Sequence, residues 1–190
     1  YINGSDVAFT NIYLNKIIFD YAVYAINSYV RFEGGEITDG VGAIKLSNSK
    51  LSLKNFIIDN NHNQYAKGAG IYSENSNLEI YDTEISNNSA YSSGGGLYVE
   101  YGNSIKLNRV QFINNSSTGE GGGATFNFCN PELINVKFSY NKSGYGGGAL
   151  SVSGTTSTAN QIKIANGLFY KNELTETNGS GAAILLGNKI

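Results

Sequence analysis

Apolar and polar residues in this chain alternate over short runs that recur with one register. The register is set by an apolar residue followed three places later by Asn, at Ile58-Asn61, Ile85-Asn88, Phe112-Asn115, Phe138-Asn141 and Phe169-Asn172, with looser versions at Phe19-Ala22 and Ile37-Gly40. Seven and five residues before these anchors stand the apolar pairs Ile12/Leu14, Val30/Phe32, Leu51/Leu53, Leu78/Ile80, Ile105/Leu107 and Ile162/Ile164, with Pro131/Leu133 the exception. Such alternation predicts half-buried strands, and the runs are too brief and too rich in Gly and Asn for helices.

A second pattern repeats beside the first. A small residue precedes an apolar or β-branched one at Ala25-Ile26, Ala43-Ile44, Gly70-Ile71, Gly96-Leu97, Ala124-Thr125, Ala149-Leu150 and Ala183-Ile184, in steps of 18, 27, 26, 28, 25 and 34 residues. That is one supersecondary unit repeated along an axis. Each coil is a strand, a turn carrying the Asn, a loop of variable length, a glycine-rich approach and a second strand. A parallel β-helix stacks such coils with every strand paired to its equivalent one turn away, so we expect an all-β solenoid of about seven coils. At about 4.8 Å per coil the rod is about 34 Å long. Regular coils are expected from about residue 12, within one domain covering 1–190. Asn61, Asn88, Asn115, Asn141 and Asn172 would form an internal ladder, each carboxamide bonding to the copies above and below. The clusters Gly94-Gly95-Gly96, Gly121-Gly122-Gly123 and Gly146-Gly147-Gly148 suit tight bends and close backbone approach.

The tetrapeptides Phe112-Ile113-Asn114-Asn115, Phe138-Ser139-Tyr140-Asn141 and Phe169-Tyr170-Lys171-Asn172, with Gly147-Gly148-Ala149-Leu150, resemble the Phe-x-x-Asn and Gly-Gly-Ala-Ile/Leu motifs of polymorphic outer membrane protein repeats. The resemblance covers residues 51–190. It implies a surface-exposed, non-enzymatic β-helix, often adhesive and often the passenger of an autotransporter. A right-handed helix follows from it and from the usual hand of parallel crossovers.

Composition narrows the partners. A formal net charge of −2 with 15% charged residues provides no electrostatic footprint for nucleic acid. No apolar run reaches membrane-spanning length. Cys129 has no internal partner for a disulfide. The lack of Met and the start at Tyr1 lead us to expect a processed chain or a segment of a longer solenoid, with Gly187–Ile190 opening a further coil.

Three columns are candidates for function. The first, Tyr13, Arg31, Ser52, Glu79, Lys106, Glu132 and Lys163, reads as a solvated charge ladder worth roughly 0.2–1 kcal/mol per cross-strand pair. The second follows the glycines: Asn27, Lys45, Tyr72, Tyr98, Phe126, Ser151 and Leu185. Alternation would send it outward, making Tyr72, Tyr98 and Phe126 an exposed stripe for glycans or for host or neighbouring surface proteins. The third is Asp20, Asp39 and Asp59, with Asn60 and His62 nearby. Such carboxylates could hold Ca²⁺ or act as general acid and base on a polysaccharide, although Asp also favours turns for local reasons.

The function expected is a non-catalytic extracellular or cell-surface scaffold for adhesion, or for building a stalk, sheath or filament by self-assembly. It needs no cofactor or metal. The alternative is a carbohydrate-active lyase or hydrolase using Asp20, Asp39 and Asp59. Sequons occur at Asn3, Asn87, Asn114, Asn115, Asn141 and Asn178. The register places Asn87, Asn114 and Asn178 outside, as candidate glycosylation sites, and Asn115 and Asn141 inside.

Overall fold

The computed structural model describes residues 1–154 and 162–187; the expected further coil at 188–190 lies outside them. Within the described residues the chain forms strands and turns only, and every strand pairing is parallel. The first sheet begins at Ile2–Asn3 and continues through Tyr21–Ile26, Gly42–Ser47, Ile71–Glu74 and Leu97–Glu100 to Ile184–Gly187. The second holds the long strands Asp6–Asn15, Tyr29–Thr38, Lys50–Asp59, Asn77–Ser86 and Ile105–Ile113, and then shorter split strands. The third is a column of two-residue strands from His62–Asn63 to Glu173–Leu174. The fold is a parallel β-helix.

The corners explain the abundance of Asn. Lys16, Asp39, Asn60, Asn87, Asn114, Tyr140 and Lys171 follow the second sheet in one column, all left-handed with φ between 49° and 59°. Asn and Asp enter this region at less cost than other side chains because they can hydrogen-bond locally. Asn27, Asn48 and Asn75 form a second such corner. At the third-sheet corner only glycine fits: Gly94 has φ +66°, and a Cβ on Gly95 would collide with the carbonyl oxygens of Ser116 and Gly122.

Inside, the columns are apolar and in register. Leu14, Ile37, Ile58, Ile85, Phe112, Phe138 and Phe169 follow one another from coil to coil. Phe138 stacks between Phe112 and Phe169, with centroids 4.6 and 5.2 Å away. Beside them runs the asparagine ladder. Asn61, Asn88, Asn115 and Asn141 are fully buried, and each donates its backbone N–H and its Nδ2 to Oδ1 of the next, ending on Asn172, over 2.9–3.1 Å. A second internal ladder was not foreseen. Ser5, Ser28 and Ser49 donate their backbone N–H groups to the hydroxyls of Ser28, Ser49 and Ser76. Its signal was the recurring Asn-Ser dipeptide at 27–28, 48–49 and 75–76.

The first coil differs from expectation. Ile12 and Leu14 pair with Gly35 and Ile37, while Val7 and Phe9 pair with Val30 and Phe32. Paired strands therefore begin at Ile2, not near residue 12, and Ala8, not Tyr13, stands beside Arg31. Phe19, read as an anchor, is 82% exposed. The error arose because Asp6–Asn15 contains two apolar pairs five residues apart, separated by a bend at left-handed Asn11.

Coil length varies. The equivalent second-sheet residues Val7, Val30, Leu51, Leu78, Ile105 and Pro131 lie 23, 21, 27, 27 and 26 residues apart. The short coils come first, and the third sheet begins only at His62.

Candidate functional site

This step in coil length builds a groove. Between the second-sheet turn and the next first-sheet strand, the coil containing Asp39 spends only Gly40 and Val41, whereas its neighbours carry Ile17–Asp20 and a loop from His62 to Ala69. The shortest coil contributes Val41 and Lys45 to the floor, and Tyr21 of the coil before it completes it. Ile18, Phe19 and Asp20 wall it on one side, and Tyr65, Ala66, Lys67 and Tyr91 on the other. The recess is about 830 Å³. Phe19, Tyr65 and Tyr91 are exposed in it, an unusual concentration of aromatic surface in water.

The far wall is held by hydrogen bonds. Asn63 Oδ1 accepts the backbone N–H groups of Tyr65 and Ala66, and its Nδ2 donates to the Tyr21 hydroxyl, which in turn donates to the Lys67 carbonyl at 2.8 Å. Burial pushes the Tyr21 phenol up, partly offset by Asn63, so it stays neutral. Lys45 Nζ lies 4.7 Å from the Tyr24 ring centroid and 5.8 Å from those of Tyr21 and Tyr72. Cation–π attraction of roughly 1 kcal/mol holds it there, and it has no ion-pair partner among the described residues. The Tyr72 phenol is pushed up to about 12, first by burial and then by Glu74 and Glu100.

The expected stripe needs correction. Tyr72 is half-buried at the groove and stacks on Tyr98 at 5.7 Å. Tyr98 is only 3% exposed: its hydroxyl accepts a hydrogen bond from Lys67 Nζ at 2.7 Å, and the Gly94 corner closes against its Cβ. Phe126 is fully buried in the core. It pairs with Val99, and Thr125 is the residue beside Tyr98. Aligning Ala124 with Gly96 rather than with Leu97 moved that coil by one residue, which exchanges the two faces of a strand. Asn27 likewise sits in a corner; Tyr24 is the residue beside Lys45.

The three aspartates are not brought together. Asp20 precedes the strand Tyr21–Ile26 and lines the groove, whereas Asp59 ends the strand Lys50–Asp59 beside Thr38, and Asp39 stands in the turn after the second sheet. There, carboxylates and carboxamides bond along the axis. Asn60 Nδ2 donates to Asp39, Asn87 Nδ2 to Asp59, Asn114 Nδ2 to Asn87 Oδ1, and His62 Nε2 lies 2.7 Å from Asn60 Oδ1. The Asn60 hydrogen bond holds Asp39 below the usual carboxylate range, the opposite of what a general acid needs. Among the described residues no three His, Cys, Asp or Glu are placed to hold a metal ion.

The charge ladder is only partly paired. Lys163 bonds Glu132 at 2.5 Å, but Glu79 turns to Lys50 rather than to Lys106. Asn87, Asn114 and Asn178 are exposed; Asn115 and Asn141 are not. Burial pushes the Cys129 thiol up to about 12, which makes it unreactive near neutrality. Among the described residues no helix is long and apolar enough to cross a membrane.

The family model described as "right handed beta helix region" matches residues 1–169, so the coils wind to the right. No curated protein and no solved structure matches the chain.

Proposed function

We propose, from the premise that this chain belongs to the right-handed β-helix family, that it is a non-catalytic adhesion scaffold at a cell surface or outside the cell, and that it binds glycans in the aromatic groove over its shortest coil. The groove carries the reading. Flat aromatic faces bind the apolar faces of sugar rings, while Lys45 and Asp20 supply hydrogen-bonding groups around them. Asn63 and Tyr21 fix the loop, so the wall is preformed and little ordering entropy is lost on binding. The Phe-x-x-Asn and Gly-Gly-Ala repeats, similar to those of polymorphic outer membrane proteins, support the surface location. Asp39 and Asp59 are engaged by Asn60 and Asn87 at the end of the second sheet and do not line the groove, which supports binding over catalysis.

A glycan array tests this. Wild-type protein should bind a discrete set of glycans, and the triple variant Phe19→Ser, Tyr65→Ser, Tyr91→Ser should lose them while its melting temperature is maintained. An empty array, or binding unchanged in the triple variant, counts against the reading.

A further inference from the structure

We infer that Asn114 carries an N-linked glycan whose first sugar lies on Tyr140, in a trough that shares no residue with the aromatic groove. Asn114 opens the sequon Asn114-Asn115-Ser116 and is exposed. The trough beside it, about 520 Å³, is lined by Asn114, Tyr140, Lys142, Lys171, Asn172 and Glu173, a size in the ordinary range for ligand sites. Its place follows from the register: Ile113 pairs with Ser139 and Ser139 with Tyr170, so Asn114, Tyr140 and Lys171 follow one another on successive coils. The side-chain bonds that run along this corner, Asn87 to Asp59 and Asn114 to Asn87, stop at Asn114, where Tyr140 stands in place of the next carboxamide.

Tyr140 is the unexpected residue at this corner. Its φ is 59°, a left-handed conformation that suits Asp39, Asn60, Asn87 and Asn114 better than a tyrosine. The residue is nevertheless 45% exposed. Tyr170 meets its ring edge-on at 5.6 Å and Lys171 Nζ stands 5.6 Å from its centroid, both from the coil after, while Asn114 lies on the coil before. Burial does not explain an aromatic there; contact with a ligand does. Coil backbones are about 4.8 Å apart, a step that one pyranose ring on Asn114 Nδ2 covers. The apolar face of the sugar rests on Tyr140, with the Lys142–Glu173 ion pair beside its hydroxyls. Asn87, whose neighbours in the column are Asn60 and Asn114, has no such ring next to it. Attachment breaks the C1–O bond of a polyprenyl-pyrophosphate oligosaccharide and forms a C1–Nδ2 bond, and one Nδ2 proton leaves with the pyrophosphate carrier. The remaining Nδ2 hydrogen suffices for the bond to Asn87 Oδ1.

The test uses wild-type protein and Tyr140→Asn, both secreted from a eukaryotic host that attaches N-glycans headed by N-acetylglucosamine. Tyr140→Asn keeps the fold, because Asn is the residue this corner favours. A peptide-N-glycosidase, which converts the freed Asn to Asp, is applied to each folded protein, and its progress is read by mass spectrometry in the tryptic peptide 110–137, which the substitution leaves unchanged. Release from Asn114 should be about fivefold or more slower in wild type than in Tyr140→Asn, a factor set by stacking on one aromatic ring. The two rates should coincide once both proteins are unfolded. Equal release from the folded proteins overturns the inference, because the sugar then projects freely into water. Asn114 found bare, whether or not Asn87 or Asn178 carries sugar, overturns it as well. The glycan array is independent of either result, since no groove residue is altered.

Discussion

Asn88 aims its backbone N–H and its Nδ2 at one atom of Asn115: each meets Oδ1 at 3.0 Å. Asn115 Nδ2 in turn serves the Ile85 carbonyl at 2.8 Å and the next Asn of the ladder. Asn115→Ala thus strands two buried donors and a carbonyl at once. We expect a loss of about 3 kcal/mol or more in urea unfolding, since each buried polar group left unpaired costs about 1–3 kcal/mol. A loss below about 1 kcal/mol would show that water replaces the carboxamide.

Phe138 is fully buried between two other phenylalanines. Phe138→Ala should cost about 3–5 kcal/mol. Phe169→Ala, at a partly exposed position one coil on, should cost distinctly less. Thermal melts of the pair check the order, and a reversal contradicts the placement of the core.

Stability should be level from about pH 5 to 9 and fall on both sides. Asp39, Asp82 and Glu132 are held low by Asn60, Arg109 and Lys163 respectively, so their contribution is present above the ordinary carboxylate range and lost as pH falls through their folded values. Cys129 and Tyr72 are raised to about 12, so the contribution of their neutral forms is lost as pH climbs from 9–10 toward that value. Melting temperature against pH reads this directly. A rise between pH 9 and 11 would contradict it.

Secreted from a host that attaches N-glycans, the folded protein should carry sugar at Asn87, Asn114 or Asn178, which are exposed, and none at Asn115 or Asn141, which are not. Glycopeptide mass spectrometry decides the matter, and sugar on Asn115 would contradict the ladder.

The interior columns were legible in the sequence because burial tolerates few residue types there. Asn61 through Asn172 and Ile58 through Phe169 keep one spacing whatever the loops do. The strand after the glycines was less legible. A coil that offers Gly123, Ala124 and Thr125 has two small residues that could take the place of Gly96, and a slip of one residue was enough to put Phe126 on the wrong face. The burial of Tyr98 could not be read from periodicity at all, because Lys67 reaches it from the preceding coil and the left-handed turn at Gly94 folds back against it within its own. The groove was hidden for a similar reason: its walls, Phe19 on one side and Tyr65 and Tyr91 on the other, come from three separate loops whose lengths carry the information, not their alternation.

The two-residue connection at Gly40 and Val41 lies between a coil lengthened by Ile17–Asp20 and one lengthened by residues 62–69, and none of these loops supplies the large apolar side chains of the core. Insertions and deletions there can therefore remodel recognition without repacking the interior. Residues added between Val41 and Gly42 would raise the floor and erase the recess; residues removed around Tyr65 would open it to solvent. Such an architecture separates what heredity must keep for folding from what it is free to vary for binding, and new specificity is reachable here through changes of length as readily as through substitution.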